Sequence, residues 1–297
     1  MLSKITVPER IFDASLYLFL TGIFLVTFYP FWNILVISLN DATDTMRGNL
    51  YFWPRVPTIE SYLTIFRNPE IWSAIKITVL RTVVGTAASI FFITLLAYPL
   101  SKRKLLGWKY FSFFFVFTMY FGGGLIPTYM IIKSLGLIDS FWVYIFPGLI
   151  GVFLMILVRT FMEQIPGEIE ESSKIDGAND LQTFFRIIMP LCVPVLATIG
   201  LFLAIGHWNS WYDSYVYTYK PELKTLQAVL VKILNQFQTA GMMSDAQQLA
   251  QGSKRIPVSS ESIRMAVTMV ATLPIIMVYP FVQRYFVKGI MMGAIKS

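Results

Sequence analysis

The sequence has little charge. Asp, Glu, Lys and Arg make up 14% of its 297 residues, against 56% apolar residues, where a soluble domain carries about 25% charged residues. That deficit excludes an ordinary soluble enzyme or binding module. The net charge of +7 does not point to nucleic acid, because the cations sit mainly at the ends of apolar runs, where membrane topology places them. With one cysteine, Cys192, no intrachain disulfide can form; it lies in an apolar run, where inert packing is expected. The one histidine, His207, lacks other His, Cys or carboxylate partners nearby in the sequence, so no metal centre or acid–base pair is expected. A G-x-x-x-x-G-K-[ST] motif is missing as well, so the chain should not hydrolyse ATP by itself. No repeat, low-complexity tract or soluble domain is found, and the first apolar run is longer than the core of a cleavable signal peptide.

What the sequence does have is long apolar runs. Six are free of Asp, Glu, Lys and Arg: Ala14–Asn40, Thr82–Ser101, Tyr110–Ile132, Ser140–Val158, Ile187–Tyr212 and Met265–Val282. A bilayer core needs about 20 mostly apolar helical residues, and a charge at its centre costs about 2.5–3.5 kcal/mol on insertion scales. The pattern predicts an all-α membrane protein with six transmembrane helices. Pro190 should end a loop helix before the fifth span proper. Lys102, Arg103, Lys104 and Lys109 place the 101–109 loop in the cytoplasm. Lys4 and Arg10 at one terminus, and Arg284, Lys288 and Lys296 at the other, agree with an even number of spans. Residues 1–13 are then a cytoplasmic tail, 14–288 the transmembrane domain and 289–297 a second tail. Segments 41–72, 133–139 and 213–262 face outward, with Trp53, Trp72, Trp142, Trp208 and Trp211 near the outer ends. Residues 54–72 should form a turn, a short helix and a turn; 222–240 have helical apolar spacing, and 241–260 form a polar loop.

The segment 163–190, EQIPGEIEESSKIDGANDLQTFFRIIMP, is long for a link between spans. Pro166 suits a helix start, and Glu168, Glu170 and Glu171 suit its first turns. Gly177 can take the left-handed conformation that ends it. Asn179 and Gln182 form a capping-box pattern for a second helix, which carries Phe184, Phe185, Ile187 and Ile188 and stops at Pro190. Two short helices with acidic and aromatic faces suit docking into a groove of another protein. The plainer alternative is an amphipathic loop on the membrane surface.

The spacing Glu171-Ser172-Ser173, three residues, Gly177, nine residues, Ile187, one residue, Met189-Pro190 resembles the EAA loop of ABC importer permeases. Two serines replace alanines and Met189 replaces leucine. Tyr98-Pro99-Leu100-Ser101-Lys102-Arg103, Trp208-Asn209 and the end from Gln283 through Gly289 to Lys296 are similar to the smaller permease of the maltose importer. Phe121-Gly122-Gly123-Gly124-Leu125-Ile126-Pro127 and Ser262-Ile263-Arg264-Met265-Ala266 resemble a Gram-positive subgroup that imports oligosaccharides cut from polysaccharides. The resemblance implies the type I importer permease fold. It implies a plasma-membrane complex with a second homologous permease, two cytoplasmic ATPase subunits, an extracellular solute-binding lipoprotein and an oligosaccharide substrate. Pectin or rhamnogalacturonan fragments fit the subgroup. ATP and Mg would belong to the ATPases, with no cofactor on this chain.

By the same resemblance, Glu170, Glu171, Ser172, Ser173, Asp176, Gly177, Ala178, Phe184, Phe185, Ile187 and Pro190 would couple the chain to the ATPase. Gly289, Gly293 and Lys296 would place the C-terminal tail against it. Trp208, Asn209, Trp211, Tyr212 and Tyr215 cluster with Asp213 and Tyr217 where the fifth span ends, and aromatic faces beside polar groups suit a sugar pathway. An interfacial aromatic belt with contacts to the binding protein is the plainer reading of the same cluster, and the favoured one. Gly122–Gly124 should serve close helix packing, with a hinge or a cavity wall as the alternative, and Arg81 should snorkel to the interface, with lining of the pathway as the alternative. A secondary transporter would leave 163–190 unexplained and usually shows intramembrane ionisable residues. A membrane enzyme would need a cluster of His, Cys or carboxylates at one face.

Overall fold

The computed structural model describes residues 7–236 and 259–294, all of whose regular structure is helical. Three helices are each long and apolar enough to cross a membrane: Pro8–Ser38, Pro69–Ser101 and Ser260–Val278. Among the described residues, three bent pairs pass the same test when taken together. Trp108–Tyr120 with Leu125–Ser134 turns by 116°, Phe141–Gly148 with Val152–Met162 by 51°, and Asp180–Leu191 with Val193–Asn209 by 76°. Counting each pair once gives six.

In chain order the helices are α1 (Val7–Ser38), α2 (Ala42–Thr45), α3 (Glu60–Phe66), α4 (Pro69–Ser101), α5 (Trp108–Tyr120), α6 (Leu125–Ser134) and α7 (Val152–Met162). Then come α8 (Gly167–Ile175), α9 (Asp180–Thr183), α10 (Met189–Leu191), α11 (Val193–Asn209), α12 (Tyr212–Tyr217), α13 (226–236) and α14 (Ser260–Ala294).

The bends have local causes. The third apolar run is not one loosened helix packed on its neighbours. α5 stops at Phe121 in extended backbone, and Gly124 (φ +80°) opens α6. A Cβ on Gly122 or Gly124 would meet nothing within 4 Å, so these glycines break the helix rather than admit a close neighbour. The fourth run starts as two 3₁₀ turns, Phe141–Tyr144 and Phe146–Gly148, around Pro147 and Gly148. The fifth breaks at Cys192, between Pro190 and Pro194, each of which lacks an N–H for the helix ladder.

Two compact units divide the chain: Met1–Asn68 with Leu230–Thr272, and Pro69–Val229 with Leu273–Ser297. In the first, the end of α1 is stitched to the segment that follows it. Buried Asn40 donates to Asp44 (3.0 Å) and Thr45 (3.1 Å) and accepts from the Val56 N–H (2.9 Å). Arg55 pairs with Asp44 at 2.9 Å. The Asn40 amide, and after it Arg55, hold the Asp44 carboxyl below its ordinary range.

The second unit has its main core where α4 meets α7 and α11. Ile93, Ala97 and Leu100 pack with Met155, Val158 and Met162, and with Phe184, Ile188, Cys192, Leu196 and Ile199. Cys192 is the packed, buried residue its surroundings predicted. A smaller core gathers Ile132, Val143, Tyr144, Ile145 and Tyr217. The predicted helix near 222–240 is α13 through residue 236; the polar loop 241–260 lies outside the described residues up to 258.

Candidate functional site

The 163–190 segment folds as its residues dictate. Pro166 caps the start of α8 from outside, and Glu168 and Glu170 stand in its first turn, where the helix dipole favours anions. Gly177 sits at φ +82°, and the following N–H, of Ala178, closes on the Ser173 carbonyl at 2.9 Å. Asn179 and Gln182 make the full reciprocal capping box, at 2.8 and 3.0 Å. Residues Phe184–Ile188 then widen into a π-turn. The two halves are joined by the buried hydroxyls of Ser173 and Thr183, 2.9 Å apart.

This geometry divides the expected coupling residues. Glu171, Ser172, Asp176, Gly177, Phe185 and Pro190 are exposed, and Ala178 and Ile187 are half-buried. Phe184 is 2% exposed and belongs to the chain's own core, with its ring 5.1 Å from that of Tyr98. It cannot enter a partner's groove; only Phe185 can. Ser173 is spent on Thr183, and Glu170 pairs with Lys102. Two apolar residues outside the expected set are exposed instead. Ile175 is 86% exposed and Leu181 64% exposed, so with Phe185 they put apolar side chains on the surface on either side of the Gly177 turn. The signal for both was present: a branched apolar residue two before the turn glycine, and a lone leucine among polar neighbours.

A second constellation lies toward the opposite end of α4. Arg81 is 3% exposed. It donates to Asp213 (3.1 Å) and to the Ser210 carbonyl (3.3 Å), forms a second contact to the Asp213 carboxylate, and stands 4.7 Å from the Tyr144 ring centroid. Snorkelling is therefore overturned: an acidic partner on α12 keeps the guanidinium inside. Asp213 also accepts from Ser210 Oγ (3.0 Å) and the Ser214 N–H (2.8 Å). Around the pair, the Tyr144 hydroxyl donates to the Leu223 carbonyl (2.6 Å), and Thr78 Oγ1 accepts the Leu226 N–H (2.8 Å). Asp139 receives the N–H groups of Tyr219 and Lys220, which hold its carboxyl below the ordinary range. His207 packs on Gly85, where an added Cβ would lie 2.5 Å from Nε2.

The five candidate pathway residues do not share one pocket. Trp208 lines an apolar cavity of about 190 Å³ with Thr82, Leu201, Ile205, Pro274 and Ile275. Trp211, Tyr212 and Tyr215 form an exposed edge-to-face group, and Asn209 is exposed. In the tail, Gly289 and Gly293 lie on the backbone of α14, and Lys296 is outside the described residues. Among the described residues no His, Cys, Asp and Glu side chains group as a metal site.

No protein-family model matches the chain. Relatives do. The polygalacturonan/rhamnogalacturonan transport system permease protein YtcP of Bacillus subtilis (strain 168) is 38% identical over 97% of this chain and 99% of its own. Protein LplC of the same organism is 37% identical over 98% and 97%. A bacterial ABC transporter involved in the import of the acidic polysaccharide alginate has a chain of known crystal structure that superposes with a TM-score of 0.81 at 30% identity, covering 95% of this chain and 99% of that one. YtcP is a transport-system permease and the superposed chain comes from an ABC importer, and both are matched over nearly their whole length: the chain belongs to the permease subunits of carbohydrate ABC importers.

Proposed function

We propose that this membrane protein forms, with a second related permease, the pathway for acidic oligosaccharides of the polygalacturonan or rhamnogalacturonan type. An extracellular binding protein delivers them, and two ATPases, which bind the ATP and Mg, drive the cycle. The supporting observation is the 163–190 turn: a capped backbone that exposes Ile175, Leu181 and Phe185 beside Glu171 and Asp176. Apolar groups held on a rigid turn with carboxylates around them suit a groove with a basic rim on another protein. On this reading the turn, the 101–109 loop and both termini are cytoplasmic, and the Arg81–Asp213 end of α4 is outward. The tail from Gly289 through Gly293 to Lys296 reaches the ATPases.

The acidic substrate class is supported by the names of the relatives, which include polymers rich in uronate. Uptake of a pectin digest by cells expressing the assembled transporter, compared with neutral maltooligosaccharides, tests it; preference for the neutral sugars would remove it. Labelling with a membrane-impermeant thiol reagent at Ser101→Cys and Ser244→Cys in intact cells tests the orientation. Reaction at residue 101 and not at 244 would reverse it.

A further inference from the structure

The end of α4 is held from the 163–190 segment by two unlike contacts. Lys102, the residue after α4, pairs through Nζ with Glu170 on α8, and the same ammonium stands 5.0 Å from the centroid of the Tyr98 ring. Tyr98 in turn packs on Phe184, the first residue of the π-turn after α9. α8 and α9 are tied to each other by Ser173 and Thr183. The contacts therefore close a circuit: Lys102 to Glu170, along α8 to Ser173, across to Thr183 and Phe184, and back through Tyr98 to Lys102. Neither half of the turn can shift against α4 without opening it.

We infer that Lys102 and Glu170, backed by the Tyr98 ring, are positioning residues that oblige the end of the second span to follow the turn when the ATPases move it. This rests on 163–190 being the ATPase-docking segment. Glu170 is spent inside the chain, while Glu171 and Asp176 on the same turn are exposed toward a partner. A partly exposed ion pair adds little to folding stability, so its geometry is its main effect. What it holds is long. α4 continues for 33 residues, about 50 Å at 1.5 Å per residue. Toward its other end Thr78 and Arg81 are bound to the 210–226 segment. A shift imposed at Lys102 is thus delivered to the far side of the same unit by one helix.

The test uses the assembled transporter with its partner permease, ATPases and binding protein in proteoliposomes, and a pectin digest that the wild-type complex takes up. ATPase co-purification, ATP hydrolysis and uptake per ATP are measured. Lys102→Gln and Glu170→Gln should keep their ATPases and hydrolyse ATP, while uptake per ATP falls at least about fivefold, the lower range of a coupling between sites. Lys102→Arg, which keeps the pair, should retain coupling, and the swap of Lys102→Glu with Glu170→Lys should recover much of it. Arg67→Gln, which removes an exposed ion pair to Glu60, should change nothing. Wild-type uptake per ATP in either neutral variant would overturn the inference, as would a Lys102→Arg variant no better than Lys102→Gln. Loss of the ATPases from the neutral variants would also overturn it, since the pair would then belong to docking. Failure of the docking segment itself shows separately, as ATPase association that is indifferent to Gly177 and Leu181.

Discussion

The two ends of the second unit handle charge and apolar surface in opposite ways. At the 163–190 turn, carboxylates and large apolar side chains stand in the open, and the ion pair to α4 is partly exposed. At the 210–226 end, a buried guanidinium meets a half-buried carboxylate, which also accepts hydrogen bonds from the Ser210 hydroxyl and the Ser214 N–H. On the proposed reading, the exposed apolar groups of the turn meet a partner surface. A buried pair is a lock, because either charge left alone is expensive. On that reading one region is met by a partner and the other holds the fold, and substitutions should separate association from stability.

The largest effect is expected at the lock. Arg81→Met leaves Asp213 without its guanidinium, and removal of one member of a buried pair costs about 3–5 kcal/mol. Because Asp213 keeps some exposure, the lower end of that range is expected. Thermal unfolding of the purified protein should show it, with Arg81→Met/Asp213→Leu less damaged than Arg81→Met alone. Equal damage in both would mean that the pair is not the lock.

Gly177→Val comes next, and its effect should fall on association. A β-branched residue resists φ +82°, at a local cost of about 1–2 kcal/mol, and re-aims the second half of the turn. Insertion and the unfolding temperature should change little, whereas ATPase co-purification and uptake should be lost. Glu171→Ala should act the same way more weakly. Leu181→Asp, which puts charge on the exposed apolar surface, should reduce co-purification without moving the unfolding temperature; an altered unfolding temperature would place Leu181 in the core instead.

The smallest effect concerns pH. The Asp139 carboxyl has a lowered pKa, from the Tyr219 and Lys220 N–H groups. A depressed carboxylate contributes stability that is present above its unfolded pKa and is lost as pH falls through the folded one. The 137–140 junction with 217–220 should therefore loosen only below the ordinary carboxylate range, and Asp139→Asn should flatten that dependence. Hydrogen exchange at the Lys220 amide, followed from neutral to acid pH, reads it.

Much of the 163–190 turn was legible in the sequence, because its signals are local: a proline before the first helix, a glycine needing positive φ, and a capping box that runs from Asn179 to Gln182. The direction of each side chain was not. Phe184 and Phe185 are adjacent and alike, and only the packing of Tyr98 and the α7 core decides that one is buried and the other shown. Arg81 was misread for the same reason. Its partner is 132 residues away, and no periodicity links a cation in one span to a carboxylate beyond another. The six apolar runs were visible, but the 116° break at Gly122–Gly124 looked like a packing motif because small residues serve both purposes.

The central claim is that the 163–190 turn, and not the aromatic end of the fifth span, is where the ATPases dock. Single cysteines at Leu181, Ile175 and Tyr215, each in a Cys192→Ser background, can be carried in the assembled transporter and treated with a short thiol-to-amine cross-linker. Leu181→Cys and Ile175→Cys should each yield a covalent adduct with the ATPase, and Tyr215→Cys none. An adduct from Tyr215→Cys, or none from the other two in a complex that still contains its ATPase, would contradict the account.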